Sequence, residues 1–268
     1  MLCVAFEFTI CSIRFSFSSV FAQHEVEVDM VTNAPFPYYE NLFRNPNRIG
    51  SPELGVVTPE QWSHCWKHDC TTPVNFTTKY DYGNAFYAYN HGLVHIVALS
   101  SYSHTDVQSA QYQWLDSHRH TIDRTVTPWV TIIFHSHFYT TFRNHLNEEE
   151  AITMKESMEP LFLKMGANLV VCGHDHAYLR THPLYQGKVD PSGLAPVYLT
   201  VGAGGNREER ASYRHDEPEA WVAKRDNSKY GYGHFHAANA THARWNWVED
   251  GNTIIGAHDD LWFINAHV

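Results

Sequence analysis

An α/β fold built on a largely parallel sheet is predicted by three features of the sequence. Short apolar, β-branched runs recur at 93–99, 129–134 and 168–172, amphipathic stretches lie between them, and a hairpin-like pair of apolar runs follows near the C-terminus. Strand-length runs alternating with helical patterns mean βαβ units, whose crossovers cover a parallel sheet.

Each element has its own signal. Leu93 to Leu99 is short, apolar and rich in β-branched residues, as a buried strand is. Residues 107–123 place Ala110, Trp114 and Leu115 among polar residues without Pro or Gly, which predicts a helix. Trp129 to Phe134 is a second buried strand, and 148–165 a second helix, with Ile152, Met158, Leu161 and Phe162 at helical spacing behind an acidic first turn. Asn168 to Cys172 is a third strand, in which Cys172 is a packing residue. Pro196 to Val201 is a fourth, ending in Gly202-Ala203-Gly204-Gly205. The polar stretch 206–230 has no apolar period. Arg244 to Val248 and Thr253 to Gly256, separated by Glu249-Asp250-Gly251-Asn252, predict a hairpin that continues the sheet with antiparallel strands.

Composition bounds the function. With 268 residues, 43% of them hydrophobic and 18% charged, the chain has core material for a globular domain. A balance of 19 basic against 29 acidic side chains argues against nucleic acid as a partner, and no later run is long enough to span a membrane. The 20 histidines favour a metal site or work at acid pH. Residues 1–22 are apolar and end in Val20-Phe21-Ala22, a signal-peptide pattern or else a mis-started leader before a domain at 23–268. The sequons at Asn75 and Asn239 fit a glycosylated protein that is secreted or held in the endomembrane lumen. Cys65 and Cys70 read as a disulfide, as free thiols, or, with His64 and His68, as a zinc site.

Chemistry concentrates where strands end. The 129–134 strand runs into His135-Ser136-His137 and the 168–172 strand into Gly173-His174-Asp175-His176. Ligands of open α/β sheets collect at the carboxyl ends of parallel strands, so both clusters reach one rim. Imidazoles converging there, with oxygen donors added, suit one or two transition-metal ions.

His135, the Gly173-His174-Asp175-His176 string running on into Ala177-Tyr178-Leu179-Arg180, and Pro196 to Gly205 with Asn206 resemble the C-terminal half of the purple acid phosphatases, in the calcineurin-like metallophosphoesterase superfamily. Ser100-Ser101-Tyr102, Gln111 to Leu115, Met158-Glu159-Pro160-Leu161 and Thr241-His242-Ala243 before Trp245 extend the resemblance from about residue 23 to the end. It implies a layered α/β/β/α sandwich with its N-terminal strands missing. It also implies hydrolysis of small phosphate monoesters at acid pH by a dinuclear centre of Fe(III) with Zn, Mn or Fe(II), with a homodimer as the candidate assembly. Carried over by position, His135 and His174 are ligands of the divalent metal and His176 of the ferric ion. Gln23 stands where the family has an Asn ligand. His24 matches the phosphate-binding histidine, and His145 one that assists substrate binding or leaving-group protonation. His137 stands where many members have proline and reads as a bystander.

The family's Asp-x-Gly and Gly-Asp-x-x-Tyr motifs should precede the stretch Ala22-Gln23-His24-Glu25, yet no aspartate occurs before Asp29. The expectation is therefore a truncated or mis-started phosphatase with impaired hydrolysis. The other readings are a secreted metal- or phosphate-binding protein without catalysis and a metal-dependent phosphodiesterase or nucleotidase.

Overall fold

In the computed structural model, the described residues are 81, 83–205, 209–252, 256 and 258–268. The expectations for 1–22, Gln23, His24, Cys65, Cys70, Asn75 and Asn206 lie outside them.

Seven strands form the main sheet: β1 (Tyr87–His91), β2 (Val94–Ala98), β3 (Trp129–Ile133), β4 (Leu169–Cys172), β5 (Tyr178–Thr181), β8 (Val197–Val201) and β9 (Val222–Asp226). Their order is β1-β2-β3-β4-β8-β5-β9. The central β2, β3, β4 and β8 run parallel and are buried along their whole length, which is why they read as continuous apolar runs. β1, β5 and β9 pair antiparallel at the flanks. β6 (Leu184–Tyr185) and β7 (Lys188–Val189) make a small separate ribbon.

Two helices cover one face. The first, α1 (Ala110–His118), begins where the Ser109 hydroxyl accepts from the Tyr112 N–H, and ends in a 3₁₀ turn over Arg119–Thr121. It is shorter than the expected 107–123 because that cap sets its start. The second, α2 (Glu149–Lys164), carries Glu149 and Glu150 in its first turn. Leu115, Met154, Met158, Leu161 and Phe162 pack from these helices onto Val97, Val130, Ile132 and Val170 of the sheet.

The opposite face meets a second, three-stranded sheet of β10 (Gly231–Ala237), β11 (His242–Glu249) and β12 (Asp259–Ile264). Phe235, Trp245 and Trp247 pack there against Ile96, Ile133, Val171 and Leu199. The described residues thus supply the α/β/β part of the expected layering.

One expectation needs correction, and two strands carry no signal in the sequence. The 206–230 stretch contains β9, an edge strand whose residues are half-buried except Asp226, so it shows no apolar period. The expected return strand, Thr253 to Gly256, lies outside the described residues except for Gly256; β11 pairs with β12, Trp247↔Asp259, and the pair builds the second sheet instead of extending the first. The partner β10 was hidden by its glycines, which packing requires: a Cβ on Gly233 would lie 2.1 Å from the Trp245 ring.

A polar girdle ties the amino ends of the parallel strands. The Arg124 guanidinium donates to the carbonyls of Pro128, Met165 and Gly166 and to Asn168 Oδ1. Asn168 Nδ2 donates to Asn265 Oδ1, and Asn265 Nδ2 to the carbonyls of Pro128 and Ala240, joining the end of β12 to the main sheet.

Candidate metal centre

At the carboxyl ends, the β3–β4 ladder continues past the strands. Phe134 N–H donates to the Val171 carbonyl and Gly173 N–H to the His135 carbonyl at 3.1 Å, which brings His135 and His174 side by side. Ser136 N–H donates to Ser101 Oγ at the end of β2. The loop after β4 lies directly on the end of β8: a Cβ on Gly202 would stand 1.9 Å from the Asp175 carbonyl oxygen, so only glycine passes there.

His135 Nε2 and His174 Nδ1 face each other at 3.0 Å, both residues being buried. The other nitrogen of His174, Nε2, lies 2.6 Å from Glu148 Oε2, and the second oxygen of that carboxylate lies 2.7 Å from His145 Nδ1. The His145 and His174 ring centroids are 3.7 Å apart. A carboxylate only accepts, so His174 presents Nε2–H to Glu148, which leaves its Nδ1 lone pair toward His135. His145 (φ 55°) and His174 (φ 66°) both hold left-handed backbone conformations that non-glycine residues rarely adopt.

Electrostatics follow from burial. Desolvation pushes His174 and His137 down to about 4, so both are neutral at ordinary pH. Burial opposes ionisation of Glu148, but the bonds from His145 and His174 outweigh it and hold its carboxyl well below the usual range. Burial likewise opposes a charge on His145, and the bond to Glu148 overcomes it and raises that imidazole. Burial pushes Asp175 up to about 6, although the Thr140 hydroxyl donates to it.

The expected residues are gathered unevenly. His135, His174 and His145 meet. His176 stands at the rim, with Nδ1 3.2 Å from the Glu209 carbonyl oxygen. His137 is buried in the same cluster, its ring 5.8 Å from that of His174. Gln23 and His24 lie outside the described residues. Sequence reasoning missed Glu148, which sits among three consecutive glutamates and reads as helix-start charge.

The donor set fits a borderline divalent ion: two imidazole nitrogens converge, and the other nitrogen of one is held by a carboxylate, as is usual for metal-ligating histidines. Asp175 Oδ1 and His137 Nδ1 beside it are buried without a hydrogen-bond partner. A cleft of about 610 Å³ opens next to this cluster, lined by His145, Glu148, Tyr139, Lys155, Arg214 and Trp221.

The sequence model of calcineurin-like phosphoesterases matches residues 22–178, and that of the iron/zinc purple acid phosphatase-like protein C matches 195–258. The chain is 41% identical over 180 residues to probable purple acid phosphatase 20 of Arabidopsis thaliana, covering 67% of this chain and 41% of that protein. It is 32% identical to Fe(3+)-Zn(2+) purple acid phosphatase 12 of the same plant, covering 67% and 40%. The chain therefore spans about two fifths of the length of these relatives. A purple acid phosphatase from yellow lupin (Lupinus luteus) seeds shares the fold with a TM-score of 0.59 at 18% identity, over 67% of this chain and 32% of that one.

Proposed function

Because the chain belongs to the calcineurin-like phosphoesterases and carries the C-terminal portion of a purple acid phosphatase, we propose that it hydrolyses small phosphate monoesters at acid pH around a dinuclear iron–zinc centre. The observation that carries this reading is the 3.0 Å approach of His135 Nε2 to His174 Nδ1 at the carboxyl ends of β3 and β4. These two nitrogens would hold the divalent ion, and His176 at the rim would serve the ferric one. Gln23 and His24 join them as a ligand and a phosphate-binding group on the family pattern alone. When bound, the metal pair would neutralise the phosphate's charge and activate a water.

The chain's own side chains do the rest. His145 is held by Glu148 through Nδ1, so its Nε2 is the nitrogen left to give a proton to the departing alcohol. The leaving group would occupy the cleft beside His145, against Tyr139 and Trp221.

Metal content of the purified chain, measured together with turnover of p-nitrophenyl phosphate at acid pH, tests the reading. Bound zinc and iron with activity lost in His135→Ala and His174→Ala support it. Hydrolysis of diesters in preference to monoesters would point to the phosphodiesterase alternative, and a chain that neither binds metal nor turns over substrate would refute the proposal.

A further inference from the structure

Glu148 has no role in the proposed function beyond holding His145, yet its geometry is that of a shared support. It occupies the N-cap position of α2, with extended backbone (φ −67°, ψ 131°), where a side chain ordinarily accepts from the first helical N–H groups. Glu148 makes no such bond. Its two oxygens go instead to two histidines in left-handed conformations, one to His174 at 2.6 Å and one to His145 at 2.7 Å. A residue kept for helix stability would spend its carboxylate on the helix.

We infer that Glu148 is a positioning residue that selects Nδ1 of His174 as the nitrogen offered to the metal and, through its second oxygen, sets the ring of His145 over the same ion. The inference rests on the metal reading above and adds to it a residue that bridges a metal ligand and the leaving-group histidine. Three facts carry it. First, an imidazole bound through Nε2–H to a carboxylate can offer only Nδ1, and Nδ1 is the nitrogen that faces His135. Second, the 3.7 Å separation of the His145 and His174 rings is spanned by this one carboxylate. Third, Glu148 is only 14% exposed, so water competes little for either bond.

The same atoms allow a rival arrangement. His145, Glu148 and His174 could themselves surround an ion, since their ligand atoms lie within 4.8 Å of one another. That arrangement would use Nε2 of His174 and turn Nδ1 away from the job its approach to His135 prepares.

Two measurements on the full chain separate these cases. Nitrogen-15 shifts of the His174 ring, read without metal, report its tautomer, and zinc titration by calorimetry reports affinity. In the wild type the Nε2–H form should dominate, and zinc should perturb Nδ1. Glu148→Ala should mix the two tautomers and weaken zinc binding by about 10–100-fold, the usual loss when a carboxylate behind a metal-bound histidine is removed. Glu148→Gln keeps one acceptor oxygen for two donors and should fall between. It also serves if Glu148→Ala does not fold, as judged by circular dichroism. Zinc affinity within twofold of wild type in both variants, or zinc perturbing Nε2 instead of Nδ1, would overturn the inference. A wild-type chain that takes up no zinc refutes the metal reading, and the tautomer still decides the role of Glu148: mixing in the variants supports it, and an unchanged Nε2–H form overturns it.

Discussion

The Tyr178 hydroxyl donates to Asp259 Oδ2 at 2.6 Å, joining β5 of the main sheet to β12 of the second. The same hydroxyl accepts from the Trp245 indole N–H at 2.8 Å, while Arg180 holds the carboxylate at 2.7 Å. Tyr178→Phe would leave the Trp245 N–H buried without an acceptor, whereas Asp259 would keep Arg180. Leaving one buried donor unsatisfied costs about 1–3 kcal/mol. Urea denaturation followed by tryptophan fluorescence should show that loss, and a change under about 0.5 kcal/mol would mean that the inter-sheet contact is held by packing alone.

Stability should fall in acid through a histidine pair far from the candidate centre. His95 Nε2 and His118 Nε2 approach to 2.9 Å, and His95 Nδ1 donates to Asn90 Oδ1. Burial, then the charge on His118, pushes His95 down to about 4, and burial lowers His118 as well. Between about 6.5 and 4 the unfolded chain therefore binds more protons than the folded one, and stability drops as pH falls through that window. Denaturation midpoints of wild type and His95→Gln at several pH values check this: the variant should show the shallower decline, and parallel curves would refute it.

Gly202 should tolerate no side chain. A Cβ there would meet the Asp175 carbonyl oxygen at 1.9 Å, a backbone contact that no rotamer change relieves. Gly202→Ala should destabilise by at least the ~1–3 kcal/mol typical of overpacking. It should also displace the loop carrying His174 and weaken zinc binding. Wild-type zinc affinity in this variant would show that the loop moves without its histidines.

The core beneath α2 offers a contrasting case. Met158 is fully buried between helix and sheet, and Met158→Ala should cost about 2–5 kcal/mol through the cavity it leaves. Zinc stoichiometry should stay at the wild-type value, because Met158 lies ten residues along α2 from Glu148, about 15 Å of helix. Loss of zinc at temperatures where the variant remains folded would contradict this separation.

The parallel centre of the fold was legible because strands buried on both faces must be apolar throughout, and Ile132, Val170 and Leu199 announce it. His135 and His174 were legible for a related reason: polar residues directly after such strands emerge at one rim. β9 and β10 were not, since an edge strand is held through its backbone and a glycine-rich strand is shaped by the tryptophans of its neighbour. Glu148 escaped because the roles of three adjacent glutamates differ only in direction. Glu149 and Glu150 enter the helix, and Glu148, just before it, hydrogen-bonds to both histidines.

The girdle of Arg124, Asn168 and Asn265 lies at the opposite pole from the histidine rim. Both poles are largely buried and hydrogen-bonded, the girdle through Arg124 and the two asparagines, the rim through the continued β3–β4 ladder and the Ser136 N–H on Ser101. Amide exchange at either pole should therefore report opening of the sheet between them, so the rim that would receive metal and substrate is as firmly seated as the end that holds no chemistry.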